Sequence, residues 1–217
     1  MMTKPTAKLY LLTNDDEFDL LYQKLAAALA TGVIGLLQIR RKKVLAQIDG
    51  QKKLESEARQ IINLAKQYQV PVLINDDIDL AAKLGVGVHL GQSDGSISDA
   101  KAKLGSNAII GRTCHGDVDL VTQAKIEGAT YAAMGAVFAS ATKPKAATIS
   151  IDALEQGINR GIDICIIGGL TAENISQLSH LAIAYVAVVG DIMELPVSQI
   201  AKRCEEWQRA LQSFAKT

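Results

Sequence analysis

The chain has 217 residues, 48% of them hydrophobic but only 4% aromatic, which suits one large aliphatic core better than two small domains. Twenty-three basic residues balance twenty-three acidic ones, so no global field draws the protein to nucleic acid or to an anionic membrane, and any anion site has to be local. Cys114, Cys165 and Cys204 are odd in number and widely spaced, which matches neither a disulfide framework nor a zinc pattern and suits a reducing cytoplasm.

Residues 1–7 read as a tail, and the apolar run LYLL that follows is too short for a signal sequence. No later run approaches the roughly 18 residues of a membrane span, so a cytoplasmic protein is expected. Strand-like runs rich in Val, Ile and Leu then recur at 8–13, 33–40, 71–76, 85–91, 108–115, 129–135, 163–169 and 184–190. Continuous apolar character marks parallel strands covered on both faces. Helical spacing separates most of them, at 18–30, 51–68, 118–127 and 172–181, with a short link at 78–84 and a closing helix over 198–214. A βα unit repeated eight times in one domain predicts a (β/α)8 TIM barrel. An open doubly wound sheet would carry a glycine-rich turn after its first strand; here that strand ends LLTNDD. The longest irregular stretches, 41–50 and 139–150, are candidate lids.

Such a barrel gathers its chemistry where the strands end. Those ends carry Gln38, Arg40 and Lys42, then Asn75 and Asp76, Gln92 and Asp94, Thr113 and His115, then Ser140, Thr142 and Lys143. Asp76 and Asp94 are hard oxygen donors suited to Mg²⁺ that shares substrate phosphate oxygens. Arg40, Lys42 and Lys143 would oppose the same anion, which describes a diphosphate pocket. Gly168–Gly169 and Gly190, after the last two strands, suggest a second, monophosphate site. His89 reads equally as a core histidine or a ligand contact. Cys114 reads as packing, because alternation turns it away from Thr113 and His115.

These motifs resemble the thiamine phosphate synthase family. The likeness rests on QIRRK at 38–42, IND at 74–76, GVHLGQSD at 87–94, IGRTCH at 110–115, SATK at 140–143 and IGG at 167–169. The resemblance implies an enzyme that joins a hydroxymethylpyrimidine diphosphate to a thiazole ethyl phosphate, releasing diphosphate. It implies small-molecule substrates, with neither nucleic acid nor membrane as partner, and is compatible with a homo-oligomer. It places Gln38, Ile39, Arg40, Arg41, Lys42, Asn75, Thr113 and Lys143 at the pyrimidine diphosphate, with Arg40, Lys42, Lys143 and Thr113 as the catalytic set. Asp76 and Asp94 match the Mg²⁺ ligands, while Ser140, Ala141, Thr142, Gly168, Gly169, Val189 and Gly190 match the thiazole phosphate site.

The chain departs from the family pattern at Gly190 and Asp191, where a hydroxyl is lost and a carboxylate gained. Asp191 is expected to weaken thiazole phosphate binding unless its side chain turns outward. Two other readings compete: a thiazole tautomerase using His115, and a non-catalytic paralogue that binds thiamine precursors. Within the run LLQIRRKK, alternation puts Gln38, Arg40 and Lys42 on the mouth side and turns Ile39 and Arg41 away, with Lys43 solvated.

Overall fold

In the computed structural model, which describes residues 7–139 and 148–215, eight parallel strands pair in sequence order and close on themselves. They are β1 (Lys8–Leu12), β2 (Ile34–Ile39), β3 (Val72–Asn75), β4 (Gly87–Leu90), β5 (Ile110–His115), β6 (Tyr131–Met134), β7 (Asp163–Ile167) and β8 (Tyr185–Val188). Around them lie α1 (Phe18–Leu29), α2 (Lys42–Leu45), α3 (Gly50–Gln67), α4 (Ile78–Leu84), α5 (Ile97–Leu104), α6 (Val118–Glu127), α7 (Ile151–Ile158), α8 (Gly190–Met193) and α9 (Val197–Leu211). The expected single-domain (β/α)8 barrel is the fold observed. Ala7 is already buried, so the expected tail is shorter by a residue than its predicted range; residues 1–6 lie outside the described ones.

Strand alternation sorts the aliphatic residues into two layers. Leu9, Leu11, Leu37, Ile39, Ile74, Val88, Leu90 and Ile110 face outward into the main core beneath the helices. Tyr10, Leu12, Leu36, Leu73, Tyr131, Ala133, Cys165 and Ala187 point inward and fill the barrel. The helices begin where capping chemistry allows. Asp77, Ser96, Asp117 and Ser150 accept hydrogen bonds from amides in the first turns of α4, α5, α6 and α7 respectively, satisfying donors that would otherwise be orphaned. The short link at 78–84 is thus a genuine helix.

Two predicted elements differ. The helix expected over 172–181 is only a four-residue 3-10 turn, Ile175–Leu178. Asn174 accepts from the Thr171 amide at 2.9 Å and donates to the Gly169 carbonyl at 2.8 Å, and such local side-chain bonds compete with a helical start. The irregular stretch expected at 41–50 holds α2, which begins at Lys42 and so ends the strand alternation sooner than predicted. The other candidate lid, 139–150, falls mostly on residues outside the described ones.

Candidate active site at the barrel mouth

Inward-facing positions on neighbouring strands form a polar ladder above the apolar barrel filling. Gln38, only 2% exposed, donates from Nε2 to Asn75 Oδ1 at 3.3 Å, and Asn75 Nδ2 donates to Asp76 Oδ2 at 2.5 Å. Asp76 leaves β3 in a left-handed conformation, φ 64°, its amide bonded to the His89 carbonyl at 2.8 Å. That turn carries the carboxylate over the mouth. From the next loop Asp94 Oδ2 accepts from the Gly91 amide at 3.0 Å. A Cβ placed on Gly91 would stand 2.4 Å from Asp94 Oδ2 and 3.9 Å from Asp76 Oδ1, so both carboxylates close on one point of bare backbone. Partial burial, followed by the facing Asp76 carboxylate, raises the Asp94 pKa. A divalent cation would relieve that repulsion. Among the described residues no three His, Cys, Asp or Glu side chains gather as a metal site; two carboxylates fit Mg²⁺, which keeps positions for water and phosphate oxygens.

Cations share this mouth. Lys42 Nζ lies 3.5 Å from Asp76 Oδ2, and Arg40 lines the same cleft. Thr13, buried at the end of β1, clamps the Arg40 backbone: its hydroxyl accepts from the Arg40 amide at 2.8 Å and reaches the Arg40 carbonyl at 3.2 Å. Thr13 was not singled out from the sequence, although LLTNDD places it at a strand end beside Gln38. Lys43 also borders the cleft as an exposed side chain.

Ile39 and Arg41, both expected at the pyrimidine diphosphate, have side chains elsewhere. Ile39 belongs to the outer core at 2% exposure. Arg41, 4% exposed, donates to Glu57 Oε2 at 2.9 Å and to the carbonyls of Asn14 and Asp16 at 2.9 and 2.6 Å. It ties the loop after β1 to the end of β2 and to α3, leaving only its backbone for the mouth.

Gly168, Gly169, Val189 and Gly190 line the far side of the cleft. Gly168 and Gly169 have φ of 102° and 64°, and a Cβ on Gly169 would meet the Phe138 carbonyl oxygen at 2.5 Å. Only glycine allows that close turn. Asp191 lines the same cleft, but its carboxylate is already engaged. Its carboxylate takes Arg203 Nη2 at 2.6 Å, Arg203 Nε at 2.9 Å and Trp207 Nε1 at 2.7 Å, so the repulsion expected of it is neutralised by the closing helix. The carboxylate beside Gly190 is instead Glu194, 3.0 Å from where a Cβ would stand. Ser140, Ala141, Thr142 and Lys143 lie outside the described residues.

His89 sits beneath this surface, its Nε2 2.9 Å from Thr113 Oγ1 and its Nδ1 2.8 Å from the Tyr131 hydroxyl. Burial, with a smaller effect from Arg112, lowers its pKa to about 4. His115 follows a break in the β5–β6 register and stands exposed at the rim with φ 52°. Cys114 is fully buried in the outer core, as alternation predicted.

The cleft that joins these groups measures about 2090 Å³, beyond the roughly 300–1,000 Å³ of a site for one small molecule. A smaller cleft of about 810 Å³ at the other end of the barrel carries Lys66 and Lys103. Lys103 is bound there to Asp79.

The fold recurs in solved structures. A thiamine phosphate pyrophosphorylase from Pyrococcus furiosus superposes with a TM-score of 0.80 at 23% identity, over 97% of this chain and 98% of that one. One from Bacteroides thetaiotaomicron gives 0.66 at 15% identity, over 94% and 98%. A 3-hexulose-6-phosphate synthase from Salmonella typhimurium gives 0.73 at 13% identity, over 95% and 99%. At such identities the likeness speaks for the barrel and not for its chemistry. A sequence model of thiamine monophosphate synthase, by contrast, matches residues 9–192, a span that runs from β1 through the Gly190 corner, and the chain belongs to that family.

Proposed function

We propose that the protein condenses 4-amino-2-methyl-5-hydroxymethylpyrimidine diphosphate with thiazole ethyl phosphate, giving thiamine phosphate and diphosphate. The observation that carries this reading is the convergence of Asp76 and Asp94 against Gly91, with Lys42 paired to Asp76 and Arg40 lining the same mouth. A family member that retains this pair and its facing cations has the means to hold a diphosphate.

Gln38, Asn75 and Thr113 would hydrogen-bond the pyrimidine diphosphate. Asp76 and Asp94 would hold Mg²⁺, which when bound supplies positive charge to the non-bridging diphosphate oxygens. Arg40 and Lys42, joined by Lys143 as the resemblance of the SATK motif implies, stabilise the negative charge that grows on the departing diphosphate. They need no reorganisation if they are already in place, and Thr13 holds the Arg40 backbone there. The Gly168–Gly169 and Gly190 corner seats the thiazole phosphate, so that its ring nitrogen meets the pyrimidine methylene carbon as the C–O bond breaks. Proximity then supplies much of the acceleration. No protein nucleophile enters this scheme.

Incubating both phosphorylated precursors with Mg²⁺ tests the reading. Equal yields of diphosphate and thiamine phosphate are expected. Isomerisation of a thiazole with no diphosphate release would identify a tautomerase acting through His115, and binding of precursors without any turnover would identify a binding paralogue.

A further inference from the structure

Inside the barrel a line of hydrogen bonds runs from the apolar filling to the mouth. The Tyr10 hydroxyl lies 2.9 Å from the Tyr131 hydroxyl, which lies 2.8 Å from His89 Nδ1, and His89 Nε2 lies 2.9 Å from Thr113 Oγ1. The imidazole stacks on the Tyr131 ring, centroids 5.7 Å apart and planes within 19°. Gly111 leaves the space for this pair, since a Cβ there would stand 2.1 Å from Tyr131 Cζ and 2.7 Å from His89 Nδ1.

The direction of the line follows from its closed end. Among the described residues the Tyr131 hydroxyl is the one hydrogen-bond partner of the Tyr10 hydroxyl, and Tyr10 is 1% exposed. If His89 Nδ1 carried a proton, it would donate to Tyr131, Tyr131 would donate to Tyr10, and the Tyr10 proton would be left buried without an acceptor. An imidazolium forces the same outcome. A buried unpaired donor is costly, whereas the reverse order satisfies every proton: Tyr10 donates to Tyr131, Tyr131 donates to Nδ1, and Nε2–H donates to Thr113 Oγ1. With its oxygen occupied by that donor, the Thr113 hydroxyl must send its own proton outward, into the cleft it lines.

We infer that His89, fixed in its Nε2–H tautomer by Tyr131 and Tyr10, is a positioning residue that makes the Thr113 hydroxyl a hydrogen-bond donor to an anionic oxygen bound at the barrel mouth. The tautomer rests on the network alone; the donation to a diphosphate rests on the function proposed above. The same network explains why the barrel interior tolerates the buried hydroxyls of Tyr10 and Tyr131: they set a polarity that reaches the mouth, where a purely apolar filling would leave the Thr113 proton free to point either way.

Two measurements test this. The ring ¹⁵N–¹H correlations of the full-length protein at neutral pH, with His89 assigned by the loss of its signals in His89→Gln, are expected to show Nε2–H. An Nδ1–H tautomer or an imidazolium overturns the inference whatever the enzymatic activity. Binding of inorganic diphosphate with Mg²⁺ then reads the donor. Thr113→Val is expected to weaken it about tenfold and Thr113→Ser by less than about threefold, the scale of one hydrogen bond to a charged group. Equal losses in the two variants would contradict donation from the hydroxyl, and no diphosphate binding by the wild type would defeat the functional reading while leaving the tautomer standing.

Discussion

Arg41 and Arg40 show how far a single residue's role depends on which way its chain turns. Both belong to one basic run, yet Arg40 faces the cleft while Arg41 is sealed against Glu57 and two carbonyls. Arg40→Ala should lower the rate of diphosphate release by at least about 100-fold, the scale of a lost transition-state donor, whereas Lys43→Ala should stay within about threefold. Equal losses would refute the division. Arg41→Ala should act on stability instead. It strands a buried carboxylate whose Oε1 has no partner among the described residues, so urea unfolding should show a loss of about 3–5 kcal/mol. Alternation made the Arg40/Arg41 split legible, but the partners of Arg41 come from the loop after β1 and from α3, and no local pattern announces them. The partners of Asp191 were hidden for the same reason: Arg203, which pairs its charge, and Trp207, which donates a hydrogen bond to it, lie 12 and 16 positions further on.

Among elements, the corner formed after β7 and β8 is held by one guanidinium. Arg203 of α9 binds Glu173, Asp191 and Glu206, pinning the connection between β7 and β8 and the start of α8 to the closing helix. Arg203 holds the Glu173 carboxyl down at about 2, against an ordinary value of 4.5. A depressed carboxylate pKa stabilises the fold above the unfolded value and loses that contribution as pH falls through the folded one. Wild-type melting temperature should therefore drop between about pH 4.5 and 2 more steeply than that of Glu173→Gln. Glu173 is 68% exposed, so the difference should be small and should shrink in high salt. A parallel slope in the two proteins would remove this role. The predicted helix at 172–181 gave way to a turn because Thr171 and Asn174 satisfy the backbone themselves. Thr and Asn also serve as helix caps, so their residue types alone do not separate a turn from a helix start.

At the scale of the molecule, the barrel was legible because eight aliphatic runs at regular spacing admit few other closed arrangements, and the mouth because polar residues end those runs. What the polar residues do to one another was less so. The approach of Asp76 to Asp94 depends on a left-handed turn at Asp76 and on the bare backbone of Gly91, neither of which has a signature in the residue order. That approach also makes a prediction about the whole fold: Mg²⁺ should raise the melting temperature of the wild type and not that of Asp94→Asn. Without Mg²⁺ the variant should be at least as stable, since it loses a like-charge contact. Asp76→Asn is the matching change at the other carboxylate, because asparagine accepts a positive φ more readily than alanine does.

The proposed function has diphosphate depart from a pyrimidine held at the mouth by the Asp76–Asp94 pair and by Arg40 and Lys42. The most direct measurement is the rate of diphosphate release at increasing Mg²⁺, with both precursors present, in the wild type and in Asp76→Asn. A saturable rise in the wild type, matched mole for mole by thiamine phosphate and lowered at least about 100-fold in the variant, is the predicted result; release independent of Mg²⁺, or undiminished in Asp76→Asn, would contradict it.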